Sequence, residues 1–283
     1  MSLSCIITDN AAQFTRIDFP ESISLRFIDF KTEFSFLPSK DSSSIHNKLF
    51  PKHLPLDHSP IYYLPETHEI IDMLESTIKN FDDVYILLHS LSFNPLYSII
   101  QDTLNKTRGR ASIHLIDSQS ISVGQGYLIQ SVIELIQKKL NGNEIERLLR
   151  EKVPHIYTLF CTPGLSFLHN FGIIDAGQSI VGEMLSLYPI FSMENGKFTP
   201  VDKIRNVHGV IDYFIEYIDE FEDILQISFL QCTPPLVQES KLLRQALEEN
   251  NPNTVFTEHP HNNYLSSIIG AKGFGLVVIE NTN

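Results

Sequence analysis

Val84-Tyr85-Ile86-Leu87-Leu88-His89-Ser90-Leu91-Ser92-Phe93-Asn94-Pro95-Leu96-Tyr97 is the stretch on which the fold turns. Its first five residues are an unbroken apolar run, which predicts a buried strand. The run gives way to hydroxyl-rich residues, and then Asn94 predicts a helix cap with Pro95 as the first helical residue. Strand, polar turn and helix start, in that order, form the unit of an open parallel sheet. Ligands of such sheets gather outside the carboxyl ends of the strands. A helix start at that place offers unpaired N–H groups and partial positive charge, which suit a carboxylate or phosphate. An ordinary capped helix that binds nothing has the same signature, so this stretch alone leaves both readings open.

The pattern repeats on either side. Cys5–Ile7 predicts a strand that stops at Thr8-Asp9-Asn10, and Ile113–Ile116 predicts another that ends at Asp117-Ser118. Leu128, Val132, Ile136 and Leu140 recur at helical spacing until Asn141-Gly142-Asn143 stops them. A second helix over Glu144–Lys152 runs to Pro154, where the chain is expected to divide into domains 1–153 and 154–283. The second domain opens with a strand at Ile156–Cys161. Further strands are expected at Tyr188–Met193, Lys197–Val201, Leu225–Leu230 and Gly275–Ile279. Residues 31–65 are rich in Ser, Pro and Lys and read mostly as loop. Thr162-Pro163 and Thr233-Pro234 each follow a strand and read as a cap with proline at the first helical position. The alternation predicts an α/β chain: a three-layer α/β/α domain with a mainly parallel sheet, then an α+β domain with a mixed sheet.

Composition narrows the function. A 42% apolar fraction in 283 residues supports a real core. The formal net charge of −13 opposes phosphate backbones and anionic headgroups, so neither nucleic-acid binding nor stable membrane association is expected. No basic n-region or long apolar segment marks the start, and a cytoplasmic protein is expected. Cys5, Cys161 and Cys232 include no CxxC pair, and Cys161 and Cys232, at the ends of apolar runs, read as buried small hydrophobes.

Other sites are weighed against plainer explanations. Among the eleven histidines no HExxH occurs, so no metal is expected and the loop histidines, His259 and His261 among them, read as solvated. Gly177-Gln178-Ser179-Ile180-Val181-Gly182 is one residue too long for a nucleophile elbow. Gly124-Gln125-Gly126 and Gly273-Phe274-Gly275 lack the third glycine of a dinucleotide fingerprint and read as tight packing or turns. His89 and Ser90 are neighbours in an extended segment and so point to opposite faces. Lys203 and Arg205 are the one basic pair near a plausible crevice, and a solvated strand end explains them as well.

The order of these pieces resembles the DegV family of bacterial fatty-acid-binding proteins, along nearly the whole chain. Ile6-Ile7-Thr8-Asp9-Asn10-Ala11 is similar to the family's opening Thr-Asp-Ser segment. Ser90 through Tyr97 falls where the family has Ser-Ser-x-Leu-Ser-Gly-Thr-Tyr. Asp117 through Gly126 is the closest match. Leu165, Leu168 and Gly172 follow the family's Leu-x-x-Leu-x-x-Gly-Gly-Arg pattern. Pro189-Ile190, Gly196, Pro200, Lys203–Arg205, Gly270 and Gly275 keep its later spacing.

The resemblance implies a long apolar tunnel between two lobes, holding a fatty acid and no other cofactor. The acid's carboxylate would sit at the N-lobe strand ends and be presented to a separate fatty-acid kinase, the chain itself doing no chemistry. Ser59, Asn94 and Ser118 are the implied carboxylate-binding residues, Arg205 a headgroup or docking residue, and Tyr62, Phe93, Phe160 and Ile173 tunnel wall. Roughly 12 buried methylenes at about 0.8 kcal/mol each would supply on the order of 10 kcal/mol before ordering costs, so the tail carries the affinity. Two departures stand out. Asn94 replaces the family's headgroup serine, with an amide that can still donate. The Gly-Gly-Arg motif reads Phe171-Gly172-Ile173, without the basic residue implicated in acting with a partner or membrane. Two rival readings remain. One is a small-carbonyl enzyme related to dihydroxyacetone kinase subunits, with His89 at its centre. The other is an interaction protein whose tunnel is plugged by aromatic residues such as Tyr62 or Tyr63.

Overall fold

The computed structural model describes residues 3–16, 19–33, 54, 61–107, 109 and 111–282; of Ile61 and Tyr62 it describes the backbone only. The described residues fall into two compact units. Unit 1 is bounded as Met1–Lys31, Tyr63–Pro154 and Asn195–Lys197, and unit 2 as Thr32–Tyr62, His155–Glu194 and Phe198–Asn283.

Unit 1 is built on strands β1 (Ser4–Asp9), β2 (Ser24–Ile28), β5 (Asp83–Leu88) and β6 (Ser112–Asp117). Short strands β3 (Lys31–Glu33) and β4 (Ile61–Tyr63) lie between β2 and β5 in sequence. The four strands form a parallel sheet in the order β2-β1-β5-β6. The apolar runs predicted for β1 and β5 are buried from end to end, as a central parallel strand requires. Helix α1 (Thr67–Asn80) packs against α2 (Leu96–Lys106), and α3 (Val123–Gln137) against α4 (Gly142–Lys152).

The expected α3 is shorter than its periodicity. It stops at Gln137, Lys139 turns into the left-handed region at φ 61°, and Leu140 lies outside the helix. Asn141 caps the next helix instead, its Oδ1 accepting from Glu144 N at 3.0 Å. A residue that reads as a stop for one helix here serves as the start of another.

Unit 2 opens with β7 (Ile156–Cys161), α5 (Leu165–Asn170) and α6 (Ala176–Met184). It continues through β8 (Tyr188–Glu194), β9 (Lys197–Ile204), α7 (Val207–Ile218), β10 (Ile224–Gln231), α8 (Val237–Asn250), β11 (Val255–Pro260), α9 (Asn263–Ile269) and β12 (Phe274–Glu280). The sheet order is β11-β10-β12-β7-β8-β9. It is mixed: β11 runs parallel to β10, while β12 pairs antiparallel with both β10 and β7. Leu159, Phe214, Phe229 and Phe274 anchor its core.

The two α/β units, one with a parallel sheet and one with a mixed sheet, are those the alternation of elements predicted. Strands β2 and β11 were not foreseen, because both are half-exposed edges without an apolar run. Nor does either Thr-Pro pair cap a helix. Helix α5 starts at Leu165 and α8 at Val237, and Thr162 Oγ1 donates instead to Ile269 O at 2.8 Å. All three cysteines are free and buried, as the apolar flanks of Cys161 and Cys232 predicted for those two. No helix among the described residues is long and apolar enough to cross a membrane.

Candidate functional site

Three parallel strands of unit 1 carry polar residues at their carboxyl ends: Asp9 on β1, His89 just past β5, and Asp117 at the end of β6 with Ser118 just past it. The pairing of Leu88 with Asp117 sets the last two side by side. Asp9 is fully buried, and its carboxylate accepts five hydrogen bonds. Oδ1 accepts from Ala11 N at 3.0 Å and Gln125 Nε2 at 3.1 Å. Oδ2 accepts from His89 N at 3.0 Å, His89 Nδ1 at 2.9 Å and Asn94 Nδ2 at 3.2 Å.

Burial alone would push the Asp9 carboxyl upward. The charge of His89, its ring and backbone N–H groups and the Gln125 amide outweigh that, and hold the carboxyl below the usual carboxylate range. An ionised carboxylate only accepts, so the Nδ1 of His89 carries the hydrogen that faces it. The imidazole is itself fully buried, stacked on Phe93 at 5.2 Å and tilted against Phe30 at 5.4 Å.

Asn94 closes the cluster. Its Oδ1 accepts from Leu96 N at 2.9 Å, but the helix starts one residue later than predicted, so that Pro95 rather than Asn94 holds the cap position of α2. Its amide hydrogens face inward, to Asp9 Oδ2 and to His89 O at 3.3 Å. Ser118 donates to Leu88 O at 2.7 Å and ties the ends of β5 and β6 together, so its hydroxyl hydrogen is already committed. Ser90 points elsewhere, donating to Gly196 O at 2.8 Å. Tyr97, driven above its usual range by burial and by the Asp117 and Asp9 charges, donates to Ile116 O at 3.1 Å.

Among the residues expected to form a site, the structure therefore brings Phe93, Asn94 and Ser118 into one neighbourhood with Asp9 and His89. Phe160, Ile173 and Arg205 belong to unit 2. There Phe160 is buried and stacks on Phe198, Ile173 is half-buried, and Arg205 is exposed just past β9. Ser59 lies outside the described residues, as does the side chain of Tyr62.

Two residues are misread from the sequence. Gln125 of α3 is fully buried and reaches both Thr8 Oγ1, at 3.0 Å, and Asp9. Its signal was a polar residue between two glycines. Gly126 lets the helix approach so closely that a Cβ there would collide with Gln13 O. The other is His261, read as solvated but in fact buried, with neither ring nitrogen hydrogen-bonded among the described residues. Burial pushes its pKa down to about 3. His259, the other half of that pair, lies in β11 and is partly buried. Among the described residues no group of three His, Cys, Asp or Glu side chains could hold a metal ion.

A family model described as "Uncharacterised protein, DegV family" matches residues 5–281. A DegV domain-containing protein of Caldanaerobacter subterraneus is 27% identical over 182 residues, covering 63% of this chain and 64% of its own length. Among solved structures, the Fatty Acid Kinase (Fak) B3 protein of Streptococcus pneumoniae, loaded with linoleic acid, superposes with a TM-score of 0.82. It shares 14% identity, with 99% of this chain and 100% of that one covered. DegV from Bacillus subtilis, described as a fatty acid binding protein, gives 0.79 at 18% identity, covering 99% and 100%. At these identities the structural likenesses establish a common fold.

Proposed function

This chain belongs to the DegV family, and from that premise we propose that it binds a long-chain fatty acid with the carboxylate at the strand-end cluster of unit 1. The observation that carries the reading is the reach of the family match. It runs through residues 5–281 and so takes in every strand end at which Asp9, His89 and Asn94 meet. The structures that this fold matches along their full length include proteins described as loaded with, or binding, fatty acids.

In this reading Asn94 is the principal donor. Its bonds to Asp9 and His89 O, at 3.2 and 3.3 Å, are long for N–H···O contacts. A ligand carboxylate offers a shorter, charge-assisted bond in exchange. Asp9 keeps four other donors when the amide turns away. Ser59 is the second donor, and Ser118 supports the site by holding β5 and β6 together. Phe93, Phe160, Ile173 and Tyr62 line the acyl chain. Arg205, exposed past β9, is the proposed docking residue, and a separate fatty-acid kinase is the partner proposed, in the cytoplasm. An enzyme reading draws on one observation, the buried Asp9–His89 pair, and predicts turnover of a small carbonyl compound that is lost in His89→Ala.

Native mass spectrometry of the purified chain, before and after delipidation and incubation with palmitate or oleate, tests the carrier reading. One bound acid per chain is expected. Asn94→Ala should weaken uptake about tenfold, roughly 1.4 kcal/mol, while Asn94→Ser, which keeps a side-chain donor, should retain most of it. No acid carried through purification, together with no uptake, overturns the proposal.

A further inference from the structure

The amino end of the unit 1 sheet, opposite the strand ends that carry Asp9, holds a pocket of about 810 Å³. Its lining comes from the starts of β1, β5 and β6 and from the turn between α3 and α4. That volume suits a small molecule. Tyr85, Ile136, Leu140 and Ile145 give the pocket apolar walls. Tyr85 and Ile145 are buried, and Ile136 and Leu140 are half-buried.

A carboxylate and an ammonium also reach the lining. Asp83 has interactions of its own, and its Oδ1 stands 3.8 Å from His114 Nε2. Lys139 is exposed, and so is its neighbour Lys138, so the turn after α3 carries two positive charges in succession. The amides of Gln137 and Asn143 line the pocket from either side of that turn and can donate to an anion. Glu144, the acid closest to the turn in sequence, is occupied by Asn141, whose Nδ2 donates to its Oε2 at 3.3 Å. The backbone of Lys139 is itself informative. At φ 61° it occupies the left-handed region, where glycine ends a helix at least cost. A lysine there forgoes stability that glycine would recover. What it supplies instead is an ammonium beside an apolar pocket.

We propose that this pocket binds a small amphiphilic monocarboxylate. Its apolar body lies along Ile136, Leu140 and Ile145, and its carboxylate meets Lys139, with the Gln137 and Asn143 amides as further donors. The chain's net charge of −13 opposes any anion at long range. The two lysines act within a Debye length, where a local charge outweighs a distant field. This site lies at the other end of the sheet from the strand-end cluster and does not depend on it.

Calorimetry on the full chain incubated with excess palmitate tests this, with octanoate as the probe. Octanoate should bind saturably and about tenfold more tightly than octanamide, which keeps the tail and loses the charge. Lys139→Gly should remove that advantage and leave octanamide binding as it was, with an unfolding midpoint in urea no lower than that of the parent chain. Lys139→Arg should preserve the advantage. Leu140→Asp, which sets a charge on the apolar wall, should abolish binding of both probes. These readouts do not require palmitate to bind, so failure of the carrier reading is told apart from failure of this one. Absence of saturable octanoate binding overturns the proposal, as does octanamide or octylammonium binding as tightly as octanoate. An octanoate advantage that survives Lys139→Gly, or octanoate affinity unchanged in a folded Leu140→Asp chain, overturns it equally.

Discussion

His89 and His114 are buried histidines at opposite ends of one parallel sheet, each with a ring nitrogen on a carboxylate, and their surroundings differ in kind. His89 faces Asp9, which is wholly enclosed and takes five hydrogen bonds from four residues. His114 faces Glu146, whose side chain is 27% exposed and is shared with Arg150. The other nitrogen of His114 meets nothing to bond among the described residues. The carboxyl end of the sheet is thus a closed network in which each polar group depends on the others. The amino end is a looser pair beside an open pocket. Low dielectric makes the first strong when complete and costly when broken, whereas water dilutes the second.

The largest effect follows from breaking the closed network. Asp9→Ala strands the His89 ring and backbone N–H groups and the amides of Asn94 and Gln125 in the interior. It should cost about 3–5 kcal/mol in urea unfolding. A loss below about 1 kcal/mol would show that water takes the place of the carboxylate. The acid limb carries the same information. Asp9 ionises at lower pH in the folded chain than in the unfolded one. Its contribution is therefore complete above about pH 4 and falls away as pH drops through the depressed folded value. Asp9→Asn should flatten that limb, and stability curves collected from pH 6 to pH 2 would reveal an unchanged slope if the carboxylate mattered little.

Much of this was legible in the sequence, for reasons that also explain what was not. The runs Cys5–Ile7 and Val84–Leu88 announce central strands because burial on both faces leaves no room for polar residues, and Ile113–Ile116 announces the edge strand β6 beside them. Their polar ends point to the crevice because the topology places them there. Asn94 was readable as the polar residue that precedes the helix, to within one residue of its start, since turn chemistry is local. Its inward amide was not, because that depends on Asp9, 85 positions away. Gln125 escaped for the same reason, as its partners Thr8 and Asp9 lie more than a hundred residues upstream. Edge strands β2 and β11 lack the apolar signature since one side of each has no neighbour to pack on.

A third histidine sharpens the comparison by having no carboxylate at all. Both nitrogens of His261 are buried without a hydrogen bond among the described residues. Replacing it by leucine removes the cost of that desolvation and should stabilise the chain by about 1–2 kcal/mol at neutral pH. Because the folded pKa is near 3, the unfolded ring takes up a proton first. Stability is lost as pH falls from about 6.5 toward 3, and His261→Leu should remove that part of the decline. Unfolding midpoints that drop in the variant at neutral pH would mean that the ring has bonding partners after all.

The smallest effect belongs to the looser pair. Glu146→Gln keeps an oxygen that accepts from His114 Nδ1, loses the charge, and weakens the contact with Arg150, whose side chain is 55% exposed. Solvent screens such a contact, so the cost should stay under about 1 kcal/mol. Its pH dependence has the sign of that of Asp9, since the Glu146 carboxyl is also held low. The contribution is present above about pH 4.3 and fades as pH falls. The contrast between the two ends of the sheet is then a ratio that one set of urea titrations can read. Asp9→Asn should cost several times as much as Glu146→Gln at pH 7, because only the former leaves buried donors facing a weaker acceptor with no water to compensate. Equal costs would mean that enclosure, rather than the number of bonds, contributes little to the difference between the two histidines.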